Sequence, residues 1–203
     1  MSAKRLLWML VLLVGAGAVA GLLALRSSSQ ASPSVAAPAA TWAAGVRPAP
    51  AFSLHDQNGR PVSLVAYRGK PVLVTFIDPL CRNYCPLEAR VLGDAVARAP
   101  AAIVAVSANP YGNAAATLKQ DIGKWRLTPA FRWAVGSNAQ LSRVWDAYDI
   151  QVLVTTKRVA GVRVHEVAHT EAAYLIDANG HERALFVWPY TSATVVRALN
   201  SLR

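Results

Sequence analysis

Val72-Leu-Val-Thr-Phe-Ile77-Asp-Pro-Leu-Cys81-Arg-Asn-Tyr-Cys85-Pro86-Leu-Glu-Ala-Arg-Val-Leu-Gly-Asp-Ala-Val-Ala-Arg98 is the stretch whose reading decides the fold. Pro71 to Ile77 opens it as a short, nearly unbroken apolar run, the pattern of a strand buried on both faces of a parallel sheet. From Pro86 to Arg98 the apolar positions Leu87, Val91, Leu92, Ala95 and Val96 recur with helical period, and Pro86 suits a first helical turn. Cys81 and Cys85, the only cysteines in the chain, fall at this strand-to-helix junction. Cys85 is then predicted near the helix N-cap and Cys81 on the loop before it, where the partial positive charge of the helix N-terminus favours thiolate over thiol. Spacing of four residues brings the two sulfurs within reach of one ion. It equally permits a Cys81–Cys85 disulfide if the loop closes further. A soft-metal site and a redox dithiol both remain open at this point.

Outward from the junction, the pattern alternates between strand and helix. Phe52 to Leu64 reads as a hairpin turning at Asn58-Gly59, a strong hairpin signal. Strands are predicted over Ala101–Val106, Phe131–Val135, Val162–Val167 and Ala172–Asp177, the last closed by the turn Asp177-Ala-Asn-Gly180. Helices are predicted over Asn113–Trp125, Asn138–Tyr148 with Asn138 as cap, and Ser192–Leu202. Strand–helix–strand, then an antiparallel pair and a final helix, is an α/β fold with a mixed sheet flanked by helices.

Three segments follow from composition. Residues 1–26 carry Lys4 and Arg5 ahead of an uncharged run from Leu6 to Leu25, closed by Arg26. At about 1.5 Å per residue that run reaches roughly 30 Å, the depth of a bilayer core, and predicts one N-terminal transmembrane helix. The competing reading is a cleaved signal peptide, suggested by Ala18-Val19-Ala20, but signal cores are shorter than this run. Positive charge before the span places everything after it outside the cytoplasm, so a single-pass protein of the inner (cytoplasmic) membrane with a periplasmic domain is expected. Residues 27–48, rich in Ala, Pro and Ser with Arg47 as their one charge, are predicted to be a flexible linker. Residues 49–203 then form one domain of ordinary length.

The chain holds 21 Lys+Arg against 11 Asp+Glu, a net charge of +10. The basic residues are scattered singly, with no run of Lys and Arg, so nucleic acid is not an expected partner. A positively charged face toward anionic lipid or an acidic protein patch is the modest alternative.

The motifs taken together resemble the Sco/SenC family. The resemblance is carried by Phe52-Ser-Leu-His-Asp-Gln-Asn-Gly59, Gly69-Lys-Pro-Val-Leu-Val-Thr-Phe76, Cys81-x-x-x-Cys85-Pro86, Phe131-Arg-Trp-Ala-Val-Gly-Ser137 and Val167-Ala-His169-Thr-Glu-Ala-Ala-Tyr-Leu-Ile-Asp177-Ala-Asn-Gly180, in that order. It implies a membrane-anchored thioredoxin-like domain that binds copper, Cu(I) or Cu(II), through Cys81, Cys85 and His169. It further implies a metallochaperone whose partner is the copper-accepting subunit of a respiratory haem–copper oxidase. The alternative on the same residues is a tethered thiol–disulfide reductase acting on the cysteines of that target. Thioredoxin-like reductases usually place a proline where this chain has His169, which favours the metal reading. Zinc would take the same atoms, so copper follows from the resemblance and not from the residues.

This chain departs from the family pattern in two places. Arg82, Asn83 and Tyr84 stand between the cysteines where Pro-Asp-Val is usual, and Arg82 is expected to favour thiolate while opposing a bound cation. Ser107-Ala-Asn-Pro110 lacks the acid often found there. Asp78 is expected to cap the loop. His165 is at most a supporting neighbour of His169, and His55 and His181 are expected at the surface.

Overall fold

In a computed structural model, residues 36–127 and 131–202 are described. The predicted anchor, 1–26, and the first part of the predicted linker lie outside them. Among the described residues no helix is long and apolar enough to cross a membrane.

The elements in chain order are β1 (Ala40–Thr41), β2 (Ser53–Asp56), β3 (Pro61–Ser63), β4 (Val72–Ile77), α1 (Tyr84–Arg98), β5 (Ala102–Ser107), α2 (Ala115–Lys124) and β6 (Phe131–Val135). There follow α3 (Asn138–Ala147), β7 (Val152–Val159), β8 (Val162–His169), β9 (Ala172–Ile176), β10 (Glu182–Val187) and α4 (Ser192–Asn200). Single 3₁₀ turns sit at Leu64–Tyr67 and Pro110–Gly112.

β4 is buried at all six positions, as its apolar run requires. It pairs parallel with β5 and antiparallel with β9, and the full sheet runs β1-β10-β9-β4-β5-β6-β2-β3. Alternation along β4 builds one core on each face of this sheet. Leu73 and Ile77 pack with Cys85, Ala89 and Leu92 of α1 and with Val195 and Leu199 of α4. Val72, Val74 and Phe76 pack with Leu141, Val144 and Trp145 of α3 and with Tyr148 and Tyr174. Each such side chain withdrawn from water contributes about 1.5–3 kcal/mol, so β4 anchors both cores of the fold. The predicted α/β mixed sheet flanked by helices is present.

The turn of the first hairpin is built by Asp56, whose Oδ1 accepts the N–H groups of Asn58 at 2.8 Å and Arg60 at 2.9 Å, while Gly59 takes a φ of +76°. Four expectations change. The cap of α3 is Ser137, not Asn138: Ser137 Oγ accepts the Gln140 N–H and Gln140 Oε1 accepts the Ser137 N–H, a reciprocal capping box. The predicted linker, 27–48, includes ordered chain, because Ala40–Thr41 forms β1 along the open edge of β10. Ala39 and Trp42 donate to Leu185 and Arg183, and Glu182 donates to the Arg47 carbonyl. An unpaired strand edge needs partners whatever the composition of the segment that supplies them. Strands β8 and β9 are not paired with each other: β8 pairs with β7 as a separate two-stranded hairpin, and β9 with β4 and β10. β8 is largely exposed and polar, whereas Ala172-Ala-Tyr-Leu-Ile176 is buried throughout, so only β9 fits the centre of the sheet. Finally, α1 opens at Tyr84 with Asn83 as its cap, which makes Cys85 its second residue.

Candidate metal centre

The first turn of α1 leaves backbone N–H groups without helical partners, and the Asn83 side chain makes no capping hydrogen bond. The Cys81 sulfur takes that place. The Cys85 thiol donates to it, as do the backbone N–H groups of Cys85, Asn83 and Tyr84, and against partial burial they hold its pKa at about 5. Cys81 is therefore a thiolate at neutral pH. The loop that delivers it is folded by Asp78, whose Oδ1 accepts the Leu80 N–H at 2.7 Å and whose carbonyl accepts the Cys81 N–H at 3.1 Å. Asp78 thus caps the loop, as expected.

Cys85 is fully buried one turn on. Its hydrogen bond to the Cys81 thiolate, then burial, push its own pKa far up, so it is the proton-holding member of the pair. Both cysteines are free.

His169 comes from the far end of the chain. It is the last residue of β8, opposite Val152, and the next strand, β9, enters the sheet beside the C-terminal half of β4. His169 Nδ1 lies 3.1 Å from the Thr170 carbonyl. A carbonyl only accepts, so Nδ1 carries the hydrogen and Nε2 keeps its lone pair. That Nε2 lies 3.9 Å from Cys85 Sγ.

Two carboxylates nearby escape a reading of the sequence. Glu171 is half-buried, and its carboxylate belongs, with Cys85 and His169, to a group whose candidate ligand atoms all lie within 4.8 Å of one another. Burial raises its pKa. Glu88, three residues after Cys85 on the buried face of α1, has no exposure. Its Oε1 accepts from Thr75 Oγ1 and Tyr190 Oη, each at 2.8 Å, and its Oε2 has no partner. Burial pushes it up to about 7. A charged residue on the apolar stripe of α1 is the signal that would have singled out Glu88. Only the sequence neighbourhood of His169 points to Glu171.

The other singled-out residues lie elsewhere. The Arg82 guanidinium bonds the carbonyls of Pro79 at 2.7 Å and Cys81 at 3.0 Å and faces Asp121 at 3.7 Å. It ties the loop together and has the Asp121 carboxylate beside it. Asn109 is buried and its Oδ1 accepts the Tyr111 N–H at 3.0 Å, so the amide closes this turn. His165 shares a face of β8 with His169 but stacks on Tyr111, ring centroids 3.8 Å apart, and meets Thr156 Oγ1 at 3.0 Å. His55 is exposed as expected, while His181 is half-buried beside Asp177.

A thiolate on a helix N-terminus, a buried thiol one turn on and an imidazole from a distant strand, all at one end of a mixed sheet, define a thioredoxin-like α/β domain. The chain belongs to the SCO1/SenC family, whose family model matches residues 43–202. The fold is similar to that of copper-bound ScoI from Bradyrhizobium japonicum, at 21% identity and a TM-score of 0.66, over 76% of this chain and 99% of that one. Copper-bound Sco1 from yeast is similar at 19% identity and a TM-score of 0.67, over 76% and 87%. BsSco, a member of the Sco family of cytochrome c oxidase assembly proteins with an identified disulfide switch, is similar at 18% identity and a TM-score of 0.59, over 77% and 93%. No curated protein matches the chain.

Proposed function

We propose that this chain is a copper metallochaperone that holds the ion through Cys81, Cys85 and His169. It passes the ion to the copper-accepting subunit of a respiratory haem–copper oxidase. The observation that carries the reading is the Cys85 Sγ–His169 Nε2 pair at 3.9 Å, with Nδ1 committed to the Thr170 carbonyl. With metal–sulfur and metal–nitrogen bonds of about 2.3 and 2.0 Å, as at comparable thiolate–imidazole sites, one ion bridges that separation without moving either residue. Two thiolates and an imidazole suit Cu(I), and the nitrogen suits Cu(II) as well. The copper-bound relatives and the oxidase-assembly relative support the choice of ion and of partner. The apolar run from Leu6 to Leu25 supports an anchor in the inner membrane with the domain on the periplasmic side.

Transfer follows from the chemistry of the two cysteines. Cys81, half-buried and already a thiolate, is the ligand that meets an incoming ion without first losing a proton. Cys85 must release its proton on binding, so loading is favoured by rising pH. Handover proceeds by ligand exchange, with the target's ligands replacing these three in turn.

A second reading rests on the same thiolate: Cys81 can attack a disulfide of the target, with Cys85 resolving the mixed disulfide, as a reductase does. His169 separates the two. Oxidase activity in cells under limiting copper, expressing each variant at matched levels, should fall with His169→Ala nearly as far as with Cys81→Ser. Full activity with His169→Ala and none with Cys81→Ser would establish the reductase instead.

A further inference from the structure

From this geometry we infer that Glu171 is a ligand of the same centre, engaged by Cu(II) and released by Cu(I). The inference rests on the copper reading of Cys81, Cys85 and His169 and adds a residue to it.

Among the described residues, the group whose candidate ligand atoms all lie within 4.8 Å of one another is Cys85, His169 and Glu171. The carboxylate reaches this position from a backbone fixed on both sides. The Thr170 N–H donates to the Gln151 carbonyl at 2.9 Å, and the Thr170 hydroxyl accepts the Gln151 N–H at 3.1 Å. One residue on, the Glu171 carbonyl accepts the Trp188 N–H at 3.0 Å. His169 and Glu171 are therefore held as a unit, strapped to the start of β7 on one side and to the end of β10 on the other. No lysine or arginine among the described residues forms an ion pair with this carboxylate, although the chain carries a large excess of them.

Ligand softness decides which oxidation state it serves. Thiolates satisfy Cu(I), which gains little from a hard oxygen, whereas Cu(II) accepts nitrogen and carboxylate oxygen readily. Charge acts the same way. Two thiolates and a carboxylate around Cu(II) leave one net negative charge in a half-buried site, and around Cu(I) they leave two. Glu171 thus distinguishes the two states in a way that the sulfurs and the imidazole do not, and its engagement sets how strongly the site retains Cu(II).

The test uses the reduced protein, titrated separately with Cu(II) as its sulfate and with Cu(I) in a competing chelator, in wild type, Glu171→Gln and Glu171→Ala. Thermal melting of each copper-free variant checks the fold. Both variants should bind Cu(II) about 10–100-fold more weakly, with a changed electron paramagnetic resonance spectrum and a shifted thiolate-to-copper absorption band. Their Cu(I) affinity should match wild type. Unchanged Cu(II) affinity and spectra in folded variants would overturn the inference and leave the copper reading standing. Equal loss of both ions would also overturn it, since Glu171 would then only position His169. Wild type that binds neither ion would overturn the copper reading and this inference together.

Discussion

Cys81 and Cys85 are chemically the same residue placed in opposite surroundings. The helix N-terminus points its free N–H groups at Cys81, while Cys85 lies in the core with the Cys81 thiolate as its hydrogen-bond acceptor. Alkylation of the reduced, metal-free protein reads this directly. An ordinary cysteine slows as pH falls below about 8.5, because the thiolate is the nucleophile. Cys81 should react at a nearly constant rate from pH 8 down to its pKa of about 5 and only then slow, while Cys85 stays unmodified. Peptide mass analysis after timed quenching checks it, and a Cys81 profile that bends near pH 8.5 would contradict the assignment. The cysteine pair was legible in the sequence because strand, loop and helix are all local patterns, and the burial difference follows from where the helix starts. The roles of the carboxylates were not legible, although Glu88 interrupts the apolar stripe of α1. Glu88 and Glu171 matter through what packs around them, and Thr75, Tyr190 and Trp188 come from remote parts of the chain.

At the scale of elements, the hairpin of β7 and β8 carries His169 at its base and stands apart from the main sheet. Besides the approach of His169 to Cys85, a second contact with the cysteine side runs through the turn Pro110–Gly112. There Gly112 lies so close to the cysteine loop that a Cβ would come 2.8 Å from Leu80 Cγ, and Tyr111 stacks on His165. An aromatic pair of this kind is worth about 0.5–1.5 kcal/mol. Tyr111→Ala should therefore speed hydrogen exchange of the β8 amides by about 2- to 10-fold and leave those of β4 and α1 unchanged, whereas Tyr111→Phe should restore protection. Uniform exchange in β8 across all three proteins would show that the stack does not hold the hairpin. Only half of this hairpin was predicted from sequence. Its two-residue turn is Ala160-Gly161 with φ of +47° and +82°, and alanine is a poor advertisement for a position that usually takes asparagine. β7 also buries almost nothing, so it lacks the alternation that betrays a strand. β1 was missed for a related reason. It exists because β10 has an open edge, a property of the assembled sheet and not of residues 40–41.

For the whole molecule, the central sheet and its two cores bring position 169 to position 85 at one end of the sheet. The general α/β order was legible because β4 and β5 are short unbroken apolar runs and α1, α3 and α4 show helical periodicity. The closure of the site was legible only through the family resemblance, since no local pattern relates His169 to a cysteine pair so far away in sequence. The proposal that Cys81, Cys85 and His169 form one copper site is decided by copper bound per protein, measured together with free thiols, in wild type, Cys81→Ser, Cys85→Ser and His169→Ala after loading and removal of excess ion. One copper per wild-type chain is expected, with none retained by either cysteine variant and a loss with His169→Ala that is heavier for Cu(II) than for Cu(I). Copper retained undiminished by both cysteine variants would contradict it.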